Sequence, residues 1–272
     1  MRLDVVLPNE GAYCEAAIRA APFFEDLGFE GLWLTDHVVG MEGYRPVYGD
    51  IWLEILTTLG YLAASTKKIR LGTGVLVVPY RDAILQAKML ATIDVLSGGR
   101  LDVGVGTGWA RREFQALGRA EFFEPRGAVV DDALTTWKVC WQGGEFTHDS
   151  QFSKASKIRF APTPVQKPGP PIWIGARGLA PAPLRRAARF ADVWHPSGVS
   201  PEEMKEGGDK LDAMAGRKVP RSIRTQLADP STMHDMLRRY EDAGCIQAAI
   251  DFKADSLDEL KRRAEALMKA KV

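Results

Sequence analysis

The residues best suited to chemistry stand where apolar runs of the sequence stop. Asp36 and His37 follow Gly31-Leu32-Trp33-Leu34-Thr35. An imidazole beside a carboxylate can exchange protons near neutral pH or hydrogen-bond a bound ring; the pair is equally compatible with Asp36 capping a turn and His37 lying half-buried. Gly72, Thr73, Gly74 and Val75 put two glycines inside an otherwise strong strand, the mark of a bulge, a sharp barrel corner or a close backbone approach to a ligand. Gly106-Thr107-Gly108 and Gly175-Ala176-Arg177-Gly178 place unobstructed amides where helices begin, a recipe for holding an anion or phosphate, with Arg177 adding a cation. Turns use glycine too, and neither run carries the Lys and Ser/Thr of a nucleotide-hydrolysing phosphate loop. Trp194-His195 can line a ring-shaped cofactor or simply pack. Arg126 can meet a phosphate or pair with Glu124 or Asp131.

These groups need a frame, and the apolar pattern supplies one. Short runs rich in Val, Ile and Leu predict strands at Leu3–Pro8, Gly31–Asp36, Ile69–Val77, Leu101–Gly106, Ile172–Gly175, Asp192–Trp194, Ser222–Leu227 and Ile246–Asp251. Three- and four-residue apolar spacing predicts helices at Tyr13–Leu27, Ile51–Ser65, Ala83–Leu96, Arg126–Trp141, Leu179–Phe190, Ser231–Ala243 and Ser256–Lys269. Strands alternating with helices predict an α/β fold, a (β/α)8 barrel of one domain over residues 1–272, with chemistry at the carboxyl ends of its strands. Arg221 and Arg224 interrupt the seventh strand; without it the pattern describes a doubly wound open sheet. Two stretches break the alternation. An insertion at about residues 143–171, rich in proline, contains Lys157-Ile158-Arg159-Phe160, which predicts a hairpin or edge strand. Residues 200–220 read as helix at first, then as a mobile stretch with Gly207, Gly208 and Gly216.

Composition narrows the function classes. Lys and Arg total 36 against 35 Asp and Glu, so no overall charge draws the chain to nucleic acid or an anionic membrane. A small-molecule substrate is the expected partner. Cys14, Cys140 and Cys245 are far apart and form no C-x-x-C pair, and His37, His148, His195 and His234 lack helical metal spacing, so neither a disulfide framework nor a metal site is expected. The start, MRLDVVLPNE, reads as a strand and a turn rather than a signal peptide, which predicts a cytoplasmic protein.

The ordered set of motifs is specific where each alone is not. Leu-Thr-Asp-His at 34–37, Leu-Gly-Thr-Gly-Val at 71–75, Leu-Ser-Gly-Gly-Arg-Leu at 96–101 and Gly-Val-Gly-Thr-Gly-Trp at 104–109 are followed by Pro-Val-Gln-Lys-Pro-Gly-Pro-Pro-Ile-Trp-Ile-Gly at 164–175 and Ala-Asp-Val-Trp-His-Pro at 191–196. Over nearly its whole length the chain resembles the bacterial luciferase-like family of flavin and deazaflavin oxidoreductases, most closely the branch that uses coenzyme F420. The resemblance implies a luciferase-like barrel, a homodimer, and a ring resting on a non-proline cis peptide between Gly74 and Val75. It implies Asp36 and His37 at the ring and the cofactor phosphate near Gly175–Gly178. Sugar- and alcohol-oxidising deazaflavin relatives carry a tryptophan and a glutamate where this chain has Met41 and Trp109, and no role for Tyr44, Tyr48 or Glu113 follows from the sequence. Hydride transfer between F420 and a small organic substrate is thus the expectation. An FMN-dependent monooxygenase using oxygen, or a barrel that binds a phosphorylated metabolite or cofactor without turnover, are the alternatives.

Overall fold

The computed structural model describes residues 1–40, 51–226 and 230–269; Met41, Tyr44 and Tyr48 lie outside the described residues. Strands β1 (Arg2–Val6), β2 (Gly31–Leu34), β3 (Arg70–Thr73), β4 (Leu76–Val77), β5 (Leu101–Gly106), β8 (Ile172–Arg177), β9 (Val193–Ser197), β10 (Arg221–Gln226) and β11 (Cys245–Asp251) pair in parallel. β3 and β4 are two halves of the third barrel strand, split at Gly74–Val75, and both lie against β5. β1 pairs with β2 on one side and β11 on the other, and the pairing of β3 with β5 closes the ring, which rules out the open sheet. The eight expected barrel strands are all present.

Alternation along each strand decides what faces the barrel's interior. Leu3, Val5, Leu32, Leu34, Leu101, Val103, Val105, Ile172, Ile174, Ile223, Ala248 and Ile250 pack outward against the helices. Inward-facing Asp4 and Asp102 form a buried network with Arg2 and Arg70 at the amino-terminal end, where Arg2 Nη2 lies 2.6 Å from Asp4 and 3.1 Å from Asp102. Above it, Trp33 and Trp173 fill the middle of the barrel with Val6, Val193 and Ala249. A Cβ on Gly72 would come within 2.4 Å of the Trp33 indole, so that glycine makes room for a tryptophan rather than for a ligand. The interior below the strands' carboxyl ends is therefore filled, as barrel cores are.

The helices are α1 (Cys14–Arg19), α2 (Ala21–Asp26), α3 (Ile55–Ser65), α4 (Ala83–Ser97), α5 (Arg111–Ala116), α6 (Arg126–Gln142), α7 (Pro181–Phe190), α8 (Pro201–Ala215), α9 (Pro230–Asp242) and α10 (Leu257–Lys269). The single helix expected over Tyr13–Leu27 is two, because Pro22 has no N–H to continue the ladder. The helix expected from Ile51 begins at Ile55: Glu54 caps it by accepting from Thr57 N at 2.7 Å, and Trp52 bridges to Glu10 instead. The inserted stretch forms the antiparallel hairpin β6 (Gly144–Asp149) and β7 (Lys154–Phe160).

Residues 200–220, expected to be helical at first and then mobile, form helix α8 as far as Ala215, with a capping box from Ser200 and Glu203. Gly207 and Gly208 are buried within it. A Cβ at 207 would meet Trp194 and Leu179 at 2.7 and 2.6 Å, and one at 208 would meet the Arg221 guanidinium at 2.1 Å. The glycine pair is a seat for two large side chains of the barrel wall. No helix among the described residues is long and apolar enough to cross a membrane.

Candidate functional site

A cavity of about 380 Å3 opens at the strands' carboxyl ends. Of the residues singled out from the sequence, Asp36, His37, Gly74, Val75, Gly106, Thr107, Gly108, Gly175, Ala176, Arg177 and His195 line it, and Thr73, Gly178 and Trp194 do not. Trp194 points outward into the helix layer, where it is fully buried against α8. Thr73 is buried and donates its hydroxyl to Gly104 O at 2.7 Å, stitching β3 to β5. Parity along β9 explains the split pair: His195 faces the interior because Trp194 faces away.

The floor of the cavity is built around Val75. The Gly74–Val75 peptide is cis, and Arg224 donates to Gly74 O at 2.6 Å. Val75 turns its side chain between Gly106 and Gly175, where added Cβ atoms would come within 2.5 and 2.3 Å of its methyl groups. Those glycines therefore clear space for the valine, which offers a half-buried apolar ridge to whatever lies above.

Of the expected Gly175–Gly178 cradle, Gly175, Ala176 and Arg177 line the cavity. Gly178 N donates to Ser197 O at 3.0 Å, and α7 opens with Pro181 and Pro183, which have no N–H to offer. Polar side chains also stand on this side of the cavity. Arg177, Ser197 and Arg224 are register neighbours on three adjacent strands and all line the cavity.

Asp36 is a latch rather than a free acid. Its carboxylate accepts from Val77 N at 2.8 Å and from Arg81 at 2.7 and 2.9 Å, while Arg81 also reaches Glu54 at 2.7 Å. This ties the end of β2 to β4 and to the start of α3, and it sets the direction in which the chain delivers His37. Asp36 lines the cavity as expected, with its oxygens held by Val77 and Arg81.

His37 has a different carboxylate beside it. Its Nδ1 lies 2.8 Å from Glu113 Oε2, and its ring meets Trp52 and Trp109 at centroid distances of 4.7 and 5.8 Å. Glu113 is fully buried in the first turn of α5. Tyr80 donates to its Oε2 at 2.6 Å and Val38 N to its Oε1 at 2.5 Å. Burial pushes the Glu113 carboxyl up, but the hydrogen bonds from His37, Tyr80 and Val38 outweigh it and hold it below the usual range. Glu113 thus stays a carboxylate. A carboxylate does reach the imidazole, from one helical turn beyond Trp109.

Glu10, Trp52, Tyr80, Arg81, Ser197 and Arg224 also shape the site, and the sequence reading did not single them out for it. Arg224 had a usable signal: it falls two residues after Ser222 on one strand, and the same parity turns both inward. Burial raises the Glu10 carboxyl, an effect that Arg224 partly opposes. The group that the family resemblance implies can be tested against two observations. His195 Nε2 is buried and faces the cavity with no partner among the described residues, and the Val75 ridge offers a flat apolar bed. A planar ring with polar edges fits both.

Comparison with known proteins agrees with this architecture. An uncharacterised protein of Mycobacterium tuberculosis is 29% identical over 263 residues, covering 91% of each chain. The FMNH2-dependent dimethylsulfone monooxygenase of Pseudomonas putida is 32% identical over 242 residues, 87% of this chain and 62% of that protein. An F420-dependent secondary alcohol dehydrogenase, solved with an F420–acetone adduct, has the same fold, with a TM-score of 0.82 at 16% identity over 98% of each chain. The model of the luciferase-like monooxygenase family matches residues 1–269, and the chain belongs to that family.

Proposed function

We propose that the chain is an oxidoreductase that binds coenzyme F420 with its ring on Gly74 and Val75 and exchanges a hydride with a small organic substrate. The observation that carries this reading is His37 on the cavity wall with the buried Glu113 carboxylate behind it. When bound, the deazaflavin supplies or accepts the hydride. Reducing a carbonyl also consumes one proton, and oxidising an alcohol releases one. His37 holds or gives that proton at its imidazole, Glu113 stabilises the charged form, and Tyr80 and Val38 N fix the carboxylate. Arg177 and Ser197 are placed for the anionic tail of the cofactor, and Val75, Trp52 and Trp109 give the reacting face an apolar lining.

Anaerobic mixing with reduced F420 and a panel of small ketones and aldehydes tests the proposal. Return of the oxidised chromophore with at least one carbonyl is expected. His37→Ala is expected to slow it by about 10²–10⁴-fold while leaving F420 affinity nearly unchanged. A second reading is favoured by the kinship with the dimethylsulfone monooxygenase: a monooxygenase using reduced FMN and oxygen. Oxygen-dependent turnover with reduced FMN, and none with F420 under any carbonyl, would establish it instead.

A further inference from the structure

One polar atom at the cavity floor has no use within the fold. His195 is 2% exposed; its ring stacks on Trp33 at a centroid distance of 4.8 Å and meets Trp173 edge-on at 5.7 Å. Its Nδ1 lies 2.6 Å from Ser222 Oγ, and Ser222 Oγ donates to Trp194 O at 3.3 Å. A hydroxyl has one hydrogen. Both contacts form together only if Nδ1 carries the proton and donates to Oγ while Oγ–H donates to the carbonyl. Nε2 is then a bare acceptor.

That acceptor is buried, has no partner among the described residues, and stands 3.9 Å from where a Cβ on Gly74 would be. Buried polar atoms are nearly always satisfied, so a lone pair aimed into a cavity marks the place of a ligand's N–H or O–H. Burial, with Arg224 and Arg2 adding to it, pushes the imidazole down to about 3, so the group stays neutral at working pH. Trp33 and Trp173 hold the ring plane, and Trp33 is itself fixed by a 2.7 Å bond to Asp4. The acceptor is therefore rigid in both tautomer and direction.

We propose that His195 Nε2 accepts a hydrogen bond from the imide N–H of the cofactor's pyrimidine ring, a group that flavins and deazaflavins share, and so fixes which way round the ring lies on Gly74 and Val75. Ser222 is a positioning residue that sets the tautomer. This inference rests on the reading of the cavity as a flavin-type ring site, and it adds the atom that orients the ring.

Binding of 5-deazariboflavin and riboflavin, each with and without a methyl group on the imide nitrogen, tests it by quenching of ring fluorescence. Methylation is expected to weaken binding to the wild-type protein by roughly tenfold or more. His195→Ala is expected to bind the parent rings more weakly and to lose the penalty for methylation. Ser222→Ala keeps the imidazole and its stacking and is expected to reduce that penalty, with long-range 1H–15N spectra showing a mixture of His195 tautomers where wild type shows Nε2 unprotonated. Equal methylation penalties in wild type and His195→Ala, or a wild-type Nε2 that carries the proton, overturn the acceptor role alone. If none of the four rings binds the wild-type protein, the ring site itself falls and this inference falls with it.

Discussion

At the scale of single residues, two histidines on one cavity have opposite surroundings. His37 lies against the Glu113 carboxylate, whereas the barrel interior holds His195 neutral. The second case has a consequence for stability. The folded value of His195 is about 3 and the unfolded value near 6.5, so unfolding takes up a proton at intermediate pH. The stability this group supports is fully present above the unfolded value and drains away as pH falls from about 6.5 toward 3, amounting to about 3 kcal/mol by pH 4. Denaturant unfolding at pH 7, 5 and 4 is expected to show that slope in wild type and to show it reduced by about one proton in His195→Gln. An unchanged slope would show that His195 titrates normally in the native state. Below pH 4.5 carboxylates such as Glu113, with lowered values, add their own loss. At this scale the sequence brought His37 and His195 forward by their position at strand ends. It could not bring forward Glu113, since the partnership spans 76 residues and depends on where α5 leaves the barrel.

At the scale of elements, the third strand is the device that makes the cavity floor. Its break at Gly74–Val75 sends Val75 between β5 and β8, and the neighbouring strands answer with Gly106 and Gly175. Gly175→Ala is expected to cost about 1–3 kcal/mol through overpacking against Val75 and to weaken cofactor binding. Adding Val75→Ala should restore much of the stability; a double variant as unstable as the sum of the singles would mean that the glycine answers to something other than Val75. Element positions were legible wherever one signal dominated. All eight strands and the hairpin follow from apolar runs and flanking turn residues, and Gly98, at φ 68°, ends α4. The misreadings lie where tertiary packing outweighs local pattern. Gly207 and Gly208 look like a loose segment until Trp194 and Arg221 occupy the space they leave, and Gly175 answers to the Val75 side chain, which no local pattern announces.

At the scale of the whole molecule, the barrel is closed by charge at one end and open to chemistry at the other. The Arg2–Asp4–Asp102–Arg70 network and the Trp33–Trp173 layer seal the interior beneath the cavity, so a bound ring rests on a rigid base. Ligand binding to the folded state alone is expected to raise the thermal midpoint: a cofactor at one hundred times its Kd adds about 2.7 kcal/mol, roughly 5–10 °C for a chain of this size. A midpoint that does not move with F420 would mean that the folded chain does not bind it. The most direct test of the account is a parallel calorimetric titration of the purified protein with F420 and with FMN. Saturable one-to-one binding of F420, tighter than that of FMN and weakened in the Gly175→Ala variant, is the result predicted; tight binding of FMN with no binding of F420 would contradict it.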